Sequence, residues 1–491
     1  MRDIVSQAIA PDNGAAYRRA VAAARIALER VVTHTVAADA SFADRERAVL
    51  AAANEACRLM LETALQATAN AQGDRVRVEG VVYARHHEGT VAYHSLCGPL
   101  DVRRATYREV GVRNGPTIVP VELAAGLIEG ATPALAFRVA LGYAQGPGRQ
   151  AEEQMHADHR QPPSRSTLER LGKAIGRETH RVAPRVEAVV RQEDALPAGA
   201  HAIVVGLYRT TVPMEEPRPA GAAPTTRRKS RTTPYIRTPP APVDVNYRMA
   251  YVGTVSVVDR AGEVLVTRRY AIASTADPAM LTTRMMADVT RARAQASRMP
   301  VGVVQDAAPE LWTLVGTALT TDARLRRWHE AIDRYHLNER LGEVLRLVEP
   351  DERRRQGQVR RWNTRLDTDD RAIDRIARWI AERMTAPGVD TAAVEPHFTY
   401  LVNHQDRMRY ATLREKGLPC GSGATEGACK SVVTMRTKRS GQRWHEDGVT
   451  AALTLRSICA SGFRRCGRTS RPTIQPMYRP LRDPSAFQTL L

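Results

Sequence analysis

The chain is short of aromatic residues, of acids relative to bases, and of long apolar runs. Phenylalanine occurs only 5 times in 491 residues, and no aromatic-rich strand motif of the RNP type appears, which leaves an RNA-binding sheet of that kind without support. No stretch of eighteen apolar residues exists and no apolar signal core opens the sequence, so no spanning helix is expected and the chain reads as soluble and cytoplasmic. The 6 cysteines (Cys57, Cys97, Cys420, Cys429, Cys459 and Cys466) are scattered rather than closely paired. That pattern supports neither a disulfide framework nor a zinc ribbon. His86, His87, His94 and Cys97 come nearest to a metal cluster, but they fall on a β-hairpin pattern whose spacing matches no zinc signature, and they read as surface groups.

Basic residues are abundant. Lysine and arginine number 72 against 53 aspartates and glutamates, a formal net charge of +19, which favours a polyanionic partner, DNA being the simplest. Most of these cations are arginine, a bias that GC-rich coding also produces in company with alanine. The length predicts two or three domains.

Residues 1–70 carry alanine, leucine and arginine at helical spacing and read as a helical arm with a candidate assembly surface over 16–70. Residues 71–130 change to short alternating runs, with Gly89 and Gly98 as turn signals, and predict a small β-rich module. Residues 131–198 return to helix, broken at Gly146-Pro147-Gly148 and Pro162-Pro163, and Ser166 with Glu169 fits a capping box. This pattern is equally compatible with a helical linker and with a helix-turn-helix in which Arg165, Arg170 and Lys173 face DNA. Residues 199–317 read as a strand over Ala202–Tyr208, a hairpin over Asn246–Val258 and Val264–Ala273, an amphipathic helix over Pro278–Arg298 and a buried strand over Val301–Asp306. The basic, proline-rich insertion from Glu216 to Val243 interrupts them as a loop and candidate DNA contact. Residues 318–398 read as helical, with runs around Leu325–Leu347 and Asp370–Met384 and with Trp328, Trp362 and Trp379 as packing anchors. Residues 399–466 follow, and the basic tail 467–491 is expected to be disordered.

The stretch Gly421–Trp444, GSGATEGACKSVVTMRTKRSGQRW, is the most informative. Gly421 and Gly423 predict a tight turn, and Ala428, Val432 and Met435 predict one buried helical face. Glu426 then falls in the first helical turn, where a metal-binding carboxylate can be delivered to a nucleic-acid phosphate. Lys430, Arg436, Lys438, Arg439 and Arg443 follow as candidate phosphate ligands, and Trp444 offers a surface for stacking.

This stretch, together with Asp406-Arg407-Met408-Arg409-Tyr410, Lys416-Gly417-Leu418-Pro419 and Leu453-Thr454-Leu455-Arg456, resembles the DDE-type transposases of bacterial insertion sequences. The likeness covers roughly residues 200–465. It implies an α/β RNase H-like catalytic domain, a mixed sheet with flanking helices, interrupted by an all-α insertion and preceded by the helical and β-rich modules. It also implies a double-stranded DNA substrate at insertion-sequence ends, self-association, and two Mg²⁺ or Mn²⁺ ions held by three carboxylates. Asp306 matches the second of those acids and Glu426 the third. Asp333 and His336, in the sequence DRYH, match a recurrent motif that is open to a DNA contact, to support of a catalytic residue, or to an ordinary helix pair. Arg407 is a further supporting residue.

At the position of the first aspartate stands Tyr208. A phenol of pKa about 10 is neutral at pH 7 and too bulky to bridge two ions about 4 Å apart. Glu215 and Glu216, past an expected β-turn, and Asp244 and Asp259, at the far ends of their elements, are poorly placed to substitute. The expectation is a transposase-family protein that binds DNA with impaired strand cleavage. The alternative is a catalytically silent DNA-binding protein or repressor of the same descent.

Overall fold

The computed structural model describes residues 13–35, 41–193, 195–217, 243–273, 277–323, 325, 327–461 and 487–490. The insertion loop 218–242 and most of the tail lie outside them. The chain divides into two units, residues 1–189 with 466–491, and residues 190–465. Among the described residues no helix is long and apolar enough to cross a membrane.

In the first unit, α1 (Asn13–Thr35) and α2 (Phe42–Asn70) precede strands β1 (Arg75–Val78), β2 (Val81–Ser95), β3 (Gly98–Glu109) and β4 (Thr117–Ile118). These pair antiparallel in sequence order. Leu65 of α2 packs with Tyr93, Leu100 and Val102 of the sheet to make a small apolar core. Gly98 turns the β2–β3 hairpin with φ +116°. Gly89 is not a turn: it lies within β2 opposite Arg104, because alternation continues through it and a glycine without turn partners can extend. His86 and His87 are exposed beside a bulge, whereas Cys97 is buried.

Helices α3 (Pro120–Ala124), α4 (Pro133–Gln145), α5 (Gly148–Ala157) and α6 (Arg165–Glu193) follow. Helix α6 starts at Arg165, one residue ahead of the expected capping box, and the Ser164 hydroxyl lies 3.1 Å from those of Ser166 and Thr167. The tail is not wholly irregular, since β10 (Phe487–Leu490) pairs antiparallel with the open edge of β1. An unpaired edge is a template for any β-prone segment that reaches it.

The second unit is built on five strands in the order β7-β6-β5-β8-β9. Strand β5 (Ala202–Pro217) pairs antiparallel with β6 (Val243–Val258), which pairs antiparallel with β7 (Val264–Ala273). On its other side β5 runs parallel to β8 (Val301–Gln305), and β8 runs parallel to β9 (His329–Ile332). Strand β5 is twice the expected length and has no turn after Tyr208. Glu215 and Glu216 therefore lie on the same strand as Tyr208, paired with Val245 and Asp244.

Helices cover both sheet faces. Helix α7 (Pro278–Gln295) packs so closely on β6 that a Cβ on Gly253 would meet the Met285 sulfur at 2.2 Å. Helix α8 (Pro309–Thr320) lies between β8 and β9 in the chain. On the other face, a Cβ on Gly206 would meet the Thr425 hydroxyl at 2.1 Å.

Strand β9 lies inside the stretch read as helical. Its four residues are a short apolar-ended run that pairing with β8 holds extended, a tertiary override of local propensity. The helical insertion therefore begins after β9, with α9 (Arg334–Val348), α10 (Glu352–Thr368), α11 (Ala372–Met384) and α12 (Thr391–His404). Trp362 is 2% exposed and meets Trp379 edge to face at 5.2 Å. The chain returns through α13 (Tyr410–Glu415) and α14 (Gly423–Ala428), a π-helical turn over Cys429–Thr434, α15 (Met435–Thr437) and α16 (Glu446–Ala460).

Candidate functional site

Strand register brings three residues to one level. Val205 is opposite Val303, and Gln305 is opposite Ile332. Three residues beyond Val205 is Tyr208, three beyond Val303 is Asp306, and the residue after Ile332 is Asp333. Adjacent strands lie about 4.8 Å apart, so Tyr208, within β5, forms a row with Asp306 and Asp333, which follow the carboxyl ends of β8 and β9, the side on which open α/β sheets bind ligands. The Asp333 amide donates to the Gln305 carbonyl at 3.0 Å and fixes that end of the row.

The segment before α14 closes over it. The Tyr208 hydroxyl lies 2.8 Å from the Ser422 Oγ, and the Ser422 amide and hydroxyl both donate to the Asp333 carboxylate. With the serine proton drawn to Asp333, the phenol donates to Ser422. Asp333 is 2% exposed and also caps α9, accepting from the Tyr335 amide at 2.6 Å. Ser422 lies 3.3 Å from Glu426 Oε1, and His336 Nε2 lies 3.8 Å from the same oxygen. The Tyr208 and His336 rings stack at 6.5 Å. Asp306 accepts from the Ala308 amide at 2.8 Å, and its carbonyl accepts from the Trp312 indole at 2.7 Å.

Burial raises the Tyr208 phenol well above its ordinary pKa. The charges of Asp333, Asp306 and Glu426 add to that shift, while the Ser422 hydrogen bond opposes it. Tyr400, on α12, is pushed up to about 12 by burial, with Asp306 and Asp333 contributing and Arg340 opposing. The phenol at the β5 end of the row is therefore neutral and hydrogen-bonded, with Asp306, Asp333 and Glu426 around it.

This donor set does not suit a pair of hard divalent cations. Such ions want several carboxylate oxygens in near-octahedral geometry, but the position beside Asp306 on β5 holds a neutral phenol, and Asp333 already accepts from two backbone amides and a hydroxyl. Among the described residues no group of three or more histidine, cysteine, aspartate or glutamate side chains is arranged to hold a metal ion.

Other expected site residues fall differently. The π turn adds a residue to the helical repeat after Glu426 and rotates the buried face. Met435 is consequently 62% exposed while Arg436 is 2% exposed. Trp444 is 7% exposed, its indole donates to the Thr437 carbonyl at 3.1 Å, and the Arg436 guanidinium sits over its ring at 4.6 Å. Neither residue is available to phosphate or base; they pack on each other. Trp444 also exchanges backbone hydrogen bonds with Pro213 and Glu215 of β5.

Lys430, Lys438, Arg439 and Arg443 are exposed. The Lys438 ammonium donates to the Thr210 and Thr211 hydroxyls at 3.2 and 3.0 Å. Arg443 lies 3.9 Å from Glu215. Gly421 and Gly423 do not adopt left-handed backbone. Gly417 does, with φ +65°, where a Cβ would meet His201 at 2.7 Å.

Arg407 is a brace, bonded to Glu330 of β9 at 2.6 Å and stacked over Trp312 at 4.4 Å. In the first unit, Arg165 and Arg170 are exposed but lie 3.8 Å from Glu169 and 3.4 Å from Glu129, and Lys173 is half-buried. Sequence reasoning missed Ser422, whose signal was its place between two glycines ahead of Glu426, and the place of Asp333 in the row, which needs β9 to be seen as a strand.

Comparison with protein-family models gives no match, and comparison with curated proteins gives none.

Proposed function

We propose that this chain is a DNA-binding protein of transposase descent in which strand cleavage is disabled at Tyr208. The observation that carries the reading is the Tyr208 hydroxyl bonded to Ser422 amid Asp306, Asp333 and Glu426. The strand order, with Asp306 beyond β8 beside Tyr208 of β5 and Glu426 on a nearby helix, supports an RNase H-like reading. The GSGATEGACK segment is the basis for placing it with the insertion-sequence enzymes. A neutral, buried phenol cannot bind a cation as a carboxylate does, so the acids are left without the ligand that would bridge two ions.

The net charge of +19 and the exposed Lys430, Lys438, Arg439 and Arg443 support DNA as the partner. The runner-up, a repressor acting by occupancy of element ends, shares this chemistry and differs only in use. Duplex binding measured in a chelator and in Mg²⁺ tests the reading. Equal binding in both, with no nicked product, is expected; binding that vanishes on chelation would overturn it.

A further inference from the structure

Helix α10 carries a cationic surface that no acid neutralises. Arg353, Arg354, Arg360, Arg361 and Arg365 are all exposed, and among the described residues none is ion-paired. The nearest polar contact is Arg361 to the neutral Gln358 amide oxygen. Trp362 and Leu366 bury the opposite side of the helix.

At about 100° per residue, Arg353 and Arg360 form one row and Arg354, Arg361 and Arg365 a second, some 100° around the helix. Between the rows runs a strip of small residues, Gly357, Thr364 and Thr368. A Cβ on Gly357 would meet nothing within 4 Å, so the strip is open. The Thr364 and Thr368 hydroxyls turn back onto the helix, donating to Arg360 and Thr364 carbonyls at 3.1 and 2.9 Å. Arg334, the neighbour of Asp333, holds α10 by donating to the Asn363 side chain at 2.8 Å.

We propose that α10 enters the major groove of duplex DNA, its two arginine rows reaching the phosphates of the opposite groove walls and its small strip facing the groove floor. This rests on the DNA-binding reading above and places a contact where the sequence pattern did not point. The major groove of B-DNA, about 12 Å wide, admits a helix, while the deep, narrow major groove of A-form RNA does not. The arginines span about 18 Å of helix, a length beside which duplex DNA presents roughly ten phosphates. Five guanidinium groups on two rows can therefore all be satisfied without deforming the helix.

The test uses the full chain and a labelled 30-base-pair duplex, with affinity followed against salt. One variant carries Arg353→Gln, Arg354→Gln, Arg360→Gln, Arg361→Gln and Arg365→Gln. A control of equal net charge carries Arg18→Gln, Arg19→Gln, Arg45→Gln, Arg75→Gln and Arg77→Gln, all exposed positions of the other unit. Loss of five phosphate contacts lowers the magnitude of the slope of log K against log salt by about 4.5, and the α10 variant is expected to show this with at least about tenfold weaker binding at 150 mM salt, the control showing neither. Gly357→Glu, which leaves every arginine in place and puts a carboxylate on the open strip, is expected to weaken binding about tenfold.

An unchanged slope in the α10 variant with Gly357→Glu binding normally would overturn the proposal and leave the DNA-binding reading intact. Equal losses in variant and control would overturn it as a site and reduce it to net charge. Tighter binding to duplex RNA than to duplex DNA would overturn the groove assignment. A wild-type chain that binds no duplex at all would overturn both readings.

Discussion

The Tyr208 hydroxyl and the Ser422 hydroxyl lie 2.8 Å apart, joining the sheet to the segment that carries Glu426. Through Ser422 the bond continues to Asp333, so the middle of β5, the end of β9 and the start of α14 share one buried polar network. Removing one member of such a network leaves its partners buried without a hydrogen bond. Ser422→Ala is expected to destabilise the second unit by about 1–3 kcal/mol, and Tyr208→Phe, which leaves Ser422 bonded to Asp333, by about 1 kcal/mol. Denaturant unfolding followed by tryptophan fluorescence measures both; an unchanged midpoint for Ser422→Ala would contradict the network.

Gly206 is expected to tolerate no side chain. A Cβ there would stand 2.1 Å from the Thr425 hydroxyl, which is itself 2.6 Å from Thr254 on β6. Overpacking of this kind costs about 1–3 kcal/mol. Gly206→Ala should lower the melting temperature, and pairing it with Thr425→Ser should not relieve the clash, because the offending oxygen remains. Gly316, which faces open space on a helix, is the control position where alanine should be neutral or stabilising.

Alkaline titration follows from the buried phenols. Tyr93 and Tyr400 are each pushed up to about 12, chiefly by burial, and burial likewise raises Tyr208 and Tyr410 well above the ordinary phenol value. A phenol whose folded pKa is raised contributes stability that is fully present below the unfolded value of about 10 and is lost as pH rises toward the folded value. Stability should therefore hold to about pH 10 and fall between pH 10 and 12. Tyrosinate absorbance should lag behind that of free tyrosine and then rise together with loss of the fold; a simple titration centred on 10 would contradict the burial.

The sequence made part of this site legible and concealed the rest for physical reasons. Asp306 and Glu426 stand at the strand end and in the first helical turn where periodicity placed them. Periodicity could not show the π turn after Glu426, which packs against β5 and rotates Arg436 inward. Nor could it show β9, because four residues carry too little pattern to compete with the helical run that follows. The length of β5 was hidden by the turn expected before Glu215, whereas Pro213 is tolerated in the strand because its amide position faces away from β6, on the side where its carbonyl accepts from the Trp444 amide.

Cysteine chemistry offers an independent check on the surroundings of Glu426. The Cys429 thiol is pushed up to about 12 by burial, with Glu426 adding and Lys438 opposing, while Cys57 is exposed. Native-state alkylation at pH 8 should modify Cys57 readily and leave Cys429 unlabelled until the protein unfolds. Rapid labelling of Cys429, read by peptide mapping, would place it outside the packed turn.

The most direct measurement is Mg²⁺- or Mn²⁺-dependent cleavage of a labelled duplex carrying an element end, comparing the protein as it stands with Tyr208→Asp and with Tyr208→Asp combined with Glu426→Ala. Cutting by Tyr208→Asp alone is expected, since only that variant places an acid beside Asp306 with Glu426 intact. Cutting by the unaltered chain at a rate matching Tyr208→Asp would contradict that expectation.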